Sequence, residues 1–328
     1  MVVEMKNSLS GRSRGLWERL LARAELQPDT QTEQTVLVWD GETLAAAGSR
    51  QGNLLKCIAV DPDYRGEDLT ATVLSQLRTE AFRQGHRHLF LYTKPQNRFL
   101  FQNLFFYPIV QTDRVLLMED QRDGIRKFLE NMPKGGPGKT VGGLVMNCNP
   151  FTLGHRYLIE TAARECDRVY VFVLSEDQSR FSAGDRLEMV RRGAADLPNV
   201  TVLPTGPYLI SGATFPTYFL KDRETAPQAQ CHLDIAIFGK YFVPRFGITR
   251  RYVGSEPLSP LTETYNRILR QLLPAYGVEV KEIPRLAQNG TPVSASAVRA
   301  LLETGGDIRP LVPESTYQYL TQGGNDHG

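Results

Sequence analysis

Cysteine is scarce in this chain. There are four among 328 residues, Cys57, Cys148, Cys166 and Cys231, and they stand far apart with no Cys-x-x-Cys pair. That spacing excludes a dithiol redox centre and a zinc ribbon and argues against a disulfide framework. Reduced, partly buried thiols in a cytoplasmic chain are the expectation. Long apolar runs are missing too. Nothing approaches the ~20 residues that a membrane-spanning helix needs, and residues 1–20 mix charge with apolar side chains and lack a signal-peptide core. No membrane partner is therefore expected. Charge of one sign is also absent. Thirty-eight Lys and Arg nearly balance 36 Asp and Glu, a net charge of +2, so there is no electrostatic case for a nucleic-acid partner. What remains is 41% hydrophobic and 23% charged residues, the balance of a soluble globular protein of one large or two ordinary domains.

The pattern changes along the chain. Residues 10–26 read as a helix with Leu16, Leu20 and Leu21 on one face. Short strands follow at 35–39 and 44–47, joined at Asp40-Gly41, a hairpin signal. A strand at 54–60, an amphipathic helix at 69–83 with Val73, Leu77 and Phe82 on one side, a strand at 88–93, a helix at 97–103 and a strand at 115–118 complete an α+β region over 1–120. Residues 121–140 read as a linker with a short helix at 124–131. Its Gly138-Lys139-Thr140 ending mimics a phosphate-binding loop, but Pro133 falls where the first glycine is required and the run precedes a strand.

From 141 onward strands and helices alternate. Strands are expected at 141–146, 169–174, 200–203, 234–238, 251–254 and 278–283. Helices are expected at 156–165, from a Ser182/Asp185 cap to 197, at 264–273 and at 294–303. This alternation predicts a doubly wound domain with a parallel sheet over 141–328. Ligands in such sheets lie beyond the carboxyl ends of the strands.

Asn149-Pro150-Phe151-Thr152-Leu153-Gly154-His155 occupies that place, between a strand and a helix. Helix N-termini present unpaired N–H groups and partial positive charge, which suit phosphate. Gly154 lets a ligand approach the backbone, and His155 can donate to a phosphate oxygen. Far downstream, Ser294, Ser296 and Arg299 open the last expected helix with two hydroxyls and a cation one turn on. Taken singly, each segment is equally what a packing histidine or a plain serine cap would look like.

Together and in this order, Thr152, Gly154 and His155 resemble the (His/Thr)-x-Gly-His signature of the nucleotidyltransferase superfamily, and 293–299 resembles its Ser-x-Ser/Thr-x-x-Arg/Lys motif. The stretches Val145–Glu160, Ser175–Phe181, Ala213–Phe219 and Arg251–Pro257 narrow the resemblance to the citrate lyase ligase family, over nearly the whole chain. That family carries an acetyltransferase-like domain in front, matched here by Ile58-Ala59-Val60-Asp61-Pro62, Arg65-Gly66-Glu67-Asp68-Leu69 and Thr93-Lys94-Pro95.

The resemblance implies that ATP and acetate form acetyl-adenylate and diphosphate. The acetyl group then passes to the thiol of the CoA-like prosthetic group on the citrate lyase acyl carrier subunit. It implies ATP as substrate with Mg²⁺. His155 and Thr152 would act on the α-phosphate and the leaving group. Ser294, Ser296 and Arg299 would hold the β- and γ-phosphates. Arg180 would clamp where many relatives of the superfamily carry a lysine. Asn149, Phe151, Gly154 and Gly254 would line the nucleotide site, and Glu256 would either touch the ribose or brace its loop. The front domain departs from the acetyltransferase pattern at Asp68 and Thr70, where small residues admit pyrophosphate, and at Phe101, where a tyrosine often serves as general acid. It is expected to dock the prosthetic arm or to be a structural remnant. Two other functions remain open on the motifs alone: a cofactor adenylyltransferase and a non-catalytic nucleotide- or CoA-binding regulator.

Overall fold

Two kinds of sheet follow from two kinds of strand pattern. The computed structural model describes all residues except 30, 137, 177–178, 211–214, 221–224, 256–259, 289–290 and 323–328. It divides into one unit of Met1–Gly124 with Phe215–Leu233 and another of Ile125–Thr214 with Asp234–Gly328.

The first unit contains β1 (Val2–Lys6), α1 (Gly11–Arg23), β2 (Gln34–Asp40), β3 (Thr43–Gln51), β4 (Leu54–Val60), α2 (Leu69–Arg83), β5 (Phe90–Thr93), α3 (Arg98–Asn103), β6 (Tyr107–Gln111) and β7 (Leu116–Glu119). The strands form one sheet in the order β1-β2-β3-β4-β5-β7-β6. All pairs are antiparallel except β4 and β5, which pair in parallel only at Leu54–Phe90 and Leu55–Leu91. This is the α+β sheet that the sequence predicts. Helix α2 buries Leu69, Val73, Leu74, Leu77 and Ala81. Phe82, expected on that face, is 61% exposed. It comes nine residues after Val73, half a turn around the helix at ~100° per residue. Strands β1 and β6 escape the sequence reading. Both lie at sheet edges, and β6 contains Pro108, which an edge strand tolerates.

The segment 215–233, although far along the chain, belongs to this unit. Tyr218 is buried and its hydroxyl donates to the Tyr92 carbonyl on β5 while accepting from the Cys57 N–H on β4. Cys57 stands at φ +53°, a bulge in β4. The phenol thus bridges the two strands beyond the point where they part. Gln27 N–H holds the Tyr218 carbonyl at 2.7 Å. Tyr218 and Phe219, with Val60, Asp68 and Lys94, help to line a cleft of about 700 Å³.

The second unit contains α4 (Gly124–Glu130), β8 (Val141–Met146), α5 (Leu153–Glu165), β9 (Arg168–Val173), α6 (Ala183–Gly193), β10 (Val200–Pro204), most of its remaining helices and the strands that complete its sheet. Those are α7 (Ala226–Ile237), which straddles the boundary, α8 (Val243–Phe246), β11 (Arg250–Gly254), α9 (Pro260–Leu272), β12 (Glu279–Ile283), the hairpin β13 (Ala287–Gln288) and β14 (Thr291–Pro292), α10 (Ala295–Thr304) and α11 (Glu314–Gln322). Strands run β10-β9-β8-β11-β12, all parallel. Alternate residues feed the two faces. Leu144, Val169, Val171 and Val173 pack with Ile159 of α5 and Met189 of α6, while Phe172 on β9 packs against Phe238, Phe242 and Phe246. A sheet covered on both sides is the doubly wound arrangement.

Residues 234–238, expected as a strand, lie instead at the end of α7 and in the π-helical turn after it. Short apolar runs look alike in a buried helix and a buried strand, and periodicity cannot separate them. Within the expected linker, α4 is held by Arg245, whose Nε donates to Leu129 O and Nη2 to Met132 O, each at 2.9 Å. All four cysteines are buried and none forms a disulfide. Among the described residues no helix is long and apolar enough to cross a membrane.

Tyr218→Phe leaves the Tyr92 carbonyl and the Cys57 N–H buried without their shared partner. It should cost about 1–3 kcal/mol, read as a lower midpoint in urea unfolding. An unchanged midpoint would show that the phenol hydroxyl does not join β4 to β5.

Candidate active site

Strand order reverses at β8: β9 and β10 extend to one side of it, β11 and β12 to the other. The crevice outside the carboxyl ends of β8 and β11 is therefore the switch point where a doubly wound sheet binds ligands. Thr152, Gly154, His155, Ser294 and Arg299 come together there.

Thr152 caps α5. Its Oγ1 accepts from His155 N–H at 3.4 Å, and the Thr152 N–H donates back to His155 Nδ1 at 3.1 Å. Histidine takes the part that Glu or Gln plays in an ordinary capping box. Because Nδ1 accepts a backbone proton, the neutral ring carries its own proton on Nε2, as a hydrogen-bond donor on the far side of the ring. The ring stacks at 13° on Phe151, with centroids 6.0 Å apart. Burial, followed by the nearby Arg285 charge, pushes the imidazole down to about 4. His155 is therefore a neutral donor near pH 7.

Phe151, expected to touch nucleotide, is fully buried and packs against Gly193, where any Cβ would strike its ring. It backs the His155 ring and offers a ligand no surface. Gly154 is required for a different neighbour. A Cβ there would come within 3.1 Å of the Val293 carbonyl, just before the Ser294 cap. The second motif is thereby packed directly against the first.

Ser294 Oγ caps α10 by accepting from Ala297 N–H at 3.2 Å and lies 3.0 Å from Ser296 Oγ. Arg299 Nη1 donates to the Asn149 carbonyl at 2.6 Å, and Asn149 Oδ1 accepts from Phe181 N–H at 3.2 Å. Asn149 thus ties three segments together through its own polar groups. Arg180 reaches the same helix, donating to Arg299 O at 3.1 Å and pairing with Glu303 at 3.2 Å. Gly254 ends β11, and its carbonyl accepts from buried Asn266 at 2.9 Å. Glu256, with Asp177 and Gln178, lies outside the described residues.

Two arginines escape the sequence reading. Arg186, in α6, is fully buried. It donates to Phe181 O at 3.1 Å, to Asn147 O at 3.0 Å and to Glu176 O, fastening the loop after β9 to the loop after β8. A helix pattern alone cannot tell such an arginine from an exposed one. Arg285 follows β12 and acts on His155 through its charge. Its position past the carboxyl end of an expected strand was the available signal.

In the first unit Asp68 caps α2 at φ +24° without a side-chain cap bond. Thr70 lines the cleft beside it. Phe101 is a core residue, edge-on to Phe106 at 84°, and has no proton to give.

A five-stranded parallel sheet that sets a Thr-x-Gly-His cap at its switch point, against a Ser-x-Ser helix cap, defines a nucleotidyltransferase-type domain. The particular family is shown by comparison. Residues 141–320 match the family model described as the citrate lyase ligase C-terminal domain. The ligase of citrate (pro-3S)-lyase from Klebsiella pneumoniae is 41% identical over 313 residues, 93% of this chain and 92% of that protein. The Escherichia coli (strain K12) ligase of the same name is 39% identical over 92% of this chain and 88% of its own length. The Haemophilus influenzae one is 36% identical over 94% and 95%. The chain belongs to the citrate lyase ligase family.

Because the His155 pKa is lowered in the folded chain, the unfolded chain binds more protons between pH ~6.5 and 4. The stability that this group contributes is complete above pH ~6.5 and is lost as pH falls toward 4. A His155→Gln variant should lose less stability than the unaltered chain across that window in denaturant unfolding. The imidazole Cε1 proton should show no titration between pH 5.5 and 8 by NMR. A midpoint near 6.5 would remove the neutral-donor assignment.

Proposed function

We propose that this chain is an acid–thiol ligase that activates acetate with ATP and acetylates the thiol of the CoA-like prosthetic group on the citrate lyase acyl carrier subunit. The observation that carries the reading is the convergence of the His155 Nε2–H, the α5 and α10 N-termini and the Ser294/Ser296 pair at the switch point, in a chain whose close relatives bear the ligase name.

Chemistry at such a site needs little proton transfer. Acetate is ionised at neutral pH, so its oxygen attacks the α-phosphorus without a general base. The bond from that phosphorus to the bridging oxygen breaks, and diphosphate leaves with the electron pair. The carrier thiol then attacks the acetyl carbon, the bond to AMP breaks, and the thiol proton passes to solvent. Two anions must meet in the first step, so positioning and charge neutralisation set the rate. His155 donates to the α-phosphate region. Thr152 fixes the ring that does so. The serine pair and Arg299 receive the outgoing phosphates, and Arg180 supports Arg299 by holding its carbonyl. Mg²⁺ enters with the phosphates of ATP as part of the substrate. Among the described residues no group of three or more His, Cys, Asp or Glu is placed to hold a metal ion. The first unit is assigned no acetyl transfer of its own, in view of Phe101 and of Tyr218 between β4 and β5.

Acetate-dependent exchange of labelled diphosphate into ATP, without the carrier subunit, tests the reading. Exchange that requires acetate supports it, and exchange that requires 4′-phosphopantetheine instead would make the chain a cofactor adenylyltransferase. His155→Ala should lower the exchange rate by roughly 10²–10³-fold with little change in melting temperature. A proportionate loss of both would mean that His155 is a packing residue.

A further inference from the structure

Strands β4 and β5 run side by side at Leu54–Phe90 and Leu55–Leu91 and then separate. Strands that part leave main-chain groups aimed at the gap between them. The Tyr92 carbonyl faces it from β5. From β4 comes the Cys57 N–H, in the bulge where that strand loses register with β3. The cleft around this slot has apolar walls at Ile58, Val60, Leu91 and Leu100.

What fills the slot is a turn of the same chain. Leu220 N–H donates to the Thr217 carbonyl at 3.0 Å, which makes Tyr218 and Phe219 the central residues of a β-turn. Gln27 clamps that turn: its N–H holds the Tyr218 carbonyl at 2.7 Å and its Nε2 the Leu220 carbonyl at 3.4 Å. The Phe219 ring packs edge-on against Tyr218 and Phe215, and Phe215 meets Tyr92 in the same way at 5.9 Å. From this support the Tyr218 phenol reaches between the strands, donating to Tyr92 O and accepting from Cys57 N–H.

A hydroxyl that accepts from one main-chain N–H and donates to one main-chain carbonyl does the hydrogen bonding of a secondary amide. An extended chain laid between two strands makes that same pair of bonds. Strand β5 ends at Thr93, so there is room for an isolated amide and not for the ladder of a peptide strand. With apolar walls on either side, the matching chemistry is short alkyl segments joined by secondary amides, as in a pantetheine arm. We propose that Tyr218 is an autoinhibitory occupant of this slot, closing the first unit to a pantetheine-type arm. The inference takes from the ligase reading only the nature of the arm. A closed slot leaves the thiol arm to the adenylate instead of holding it in the first unit.

Calorimetric titration with pantetheine, without ATP or acetate, tests the role of Tyr218. An open state that must break two hydrogen bonds and expose a ring is a minor one, on the order of 1–10%, so removing the ring should raise the apparent affinity roughly 10- to 100-fold. Tyr218→Ala should show that gain over the unaltered chain. Tyr218→Leu, too short to reach the strands, should show it too and serves if the alanine variant does not fold. Cysteamine, which has the thiol and no amide, should gain nothing in either variant. Equal pantetheine affinity in the unaltered chain and a folded variant would overturn the proposal. So would an equal gain for cysteamine, which would mark an unspecific hole in place of an amide slot. A gain for pantetheine without acetate-dependent exchange would remove the ligase reading and leave the closed slot standing; exchange without the gain would do the reverse.

Discussion

The reciprocal hydrogen bonding of Thr152 and His155 is the constraint on which the site depends. It satisfies backbone groups that a helix start leaves open, and by the same contacts it orients an imidazole and selects its tautomer. A side chain cannot donate from Nε2 in a fixed direction unless Nδ1 is committed elsewhere. Here the commitment is made by the main chain, so it persists whether or not a ligand is bound. Phe151 behind the ring, itself wedged against Gly193, turns a helix cap into a rigid support.

The rest of the second unit can be understood as bringing a distant segment to that cap. Gly154 has no side chain, so the Val293 carbonyl can close on α5, and Arg299 then reaches the carbonyl of Asn149 across 150 positions of sequence. Arg186 performs the matching task inside the unit, drawing the loops after β8 and β9 together through their carbonyl oxygens. Neither contact is strong alone. Each removes a degree of freedom from a loop, and together they hold the loops at the end of a parallel sheet in one arrangement.

The first unit has a different logic. Its sheet opens where β4 and β5 part, and the chain itself supplies the group that spans the opening. A phenol that accepts from one strand and donates to the other satisfies two buried backbone groups at once. That group comes from residue 218, in a stretch whose neighbours in sequence belong to the second unit. The division of the chain into units therefore does not follow sequence order, and a boundary drawn from composition near residue 120 captures only the first of its crossings.

Much of the architecture was legible in the sequence because it depends on local periodicity. The alternating strands and helices after residue 141 predicted a parallel sheet, and its geometry then placed the expected ligand site near Thr152 and His155. Caps at Ser182 and Ser294 could be read because a cap is a contact within three or four residues. What failed were features without a local signature. Residues 234–238 are apolar enough for either a strand or a helix, and only the packing around Phe238 and Phe242 decides. Edge strands such as β6 carry a proline that only their position in the sheet excuses. Phe151 was placed at the ligand because it stands beside the motif, yet the fold turns it inward. The sequence by itself determined the type of sheet, the loop at its switch point and the family. Tertiary structure alone decided which carbonyls the arginines hold, because Arg186 reaches Asn147 and Arg299 reaches Asn149 from 39 and 150 positions away, and such encounters leave no trace in spacing.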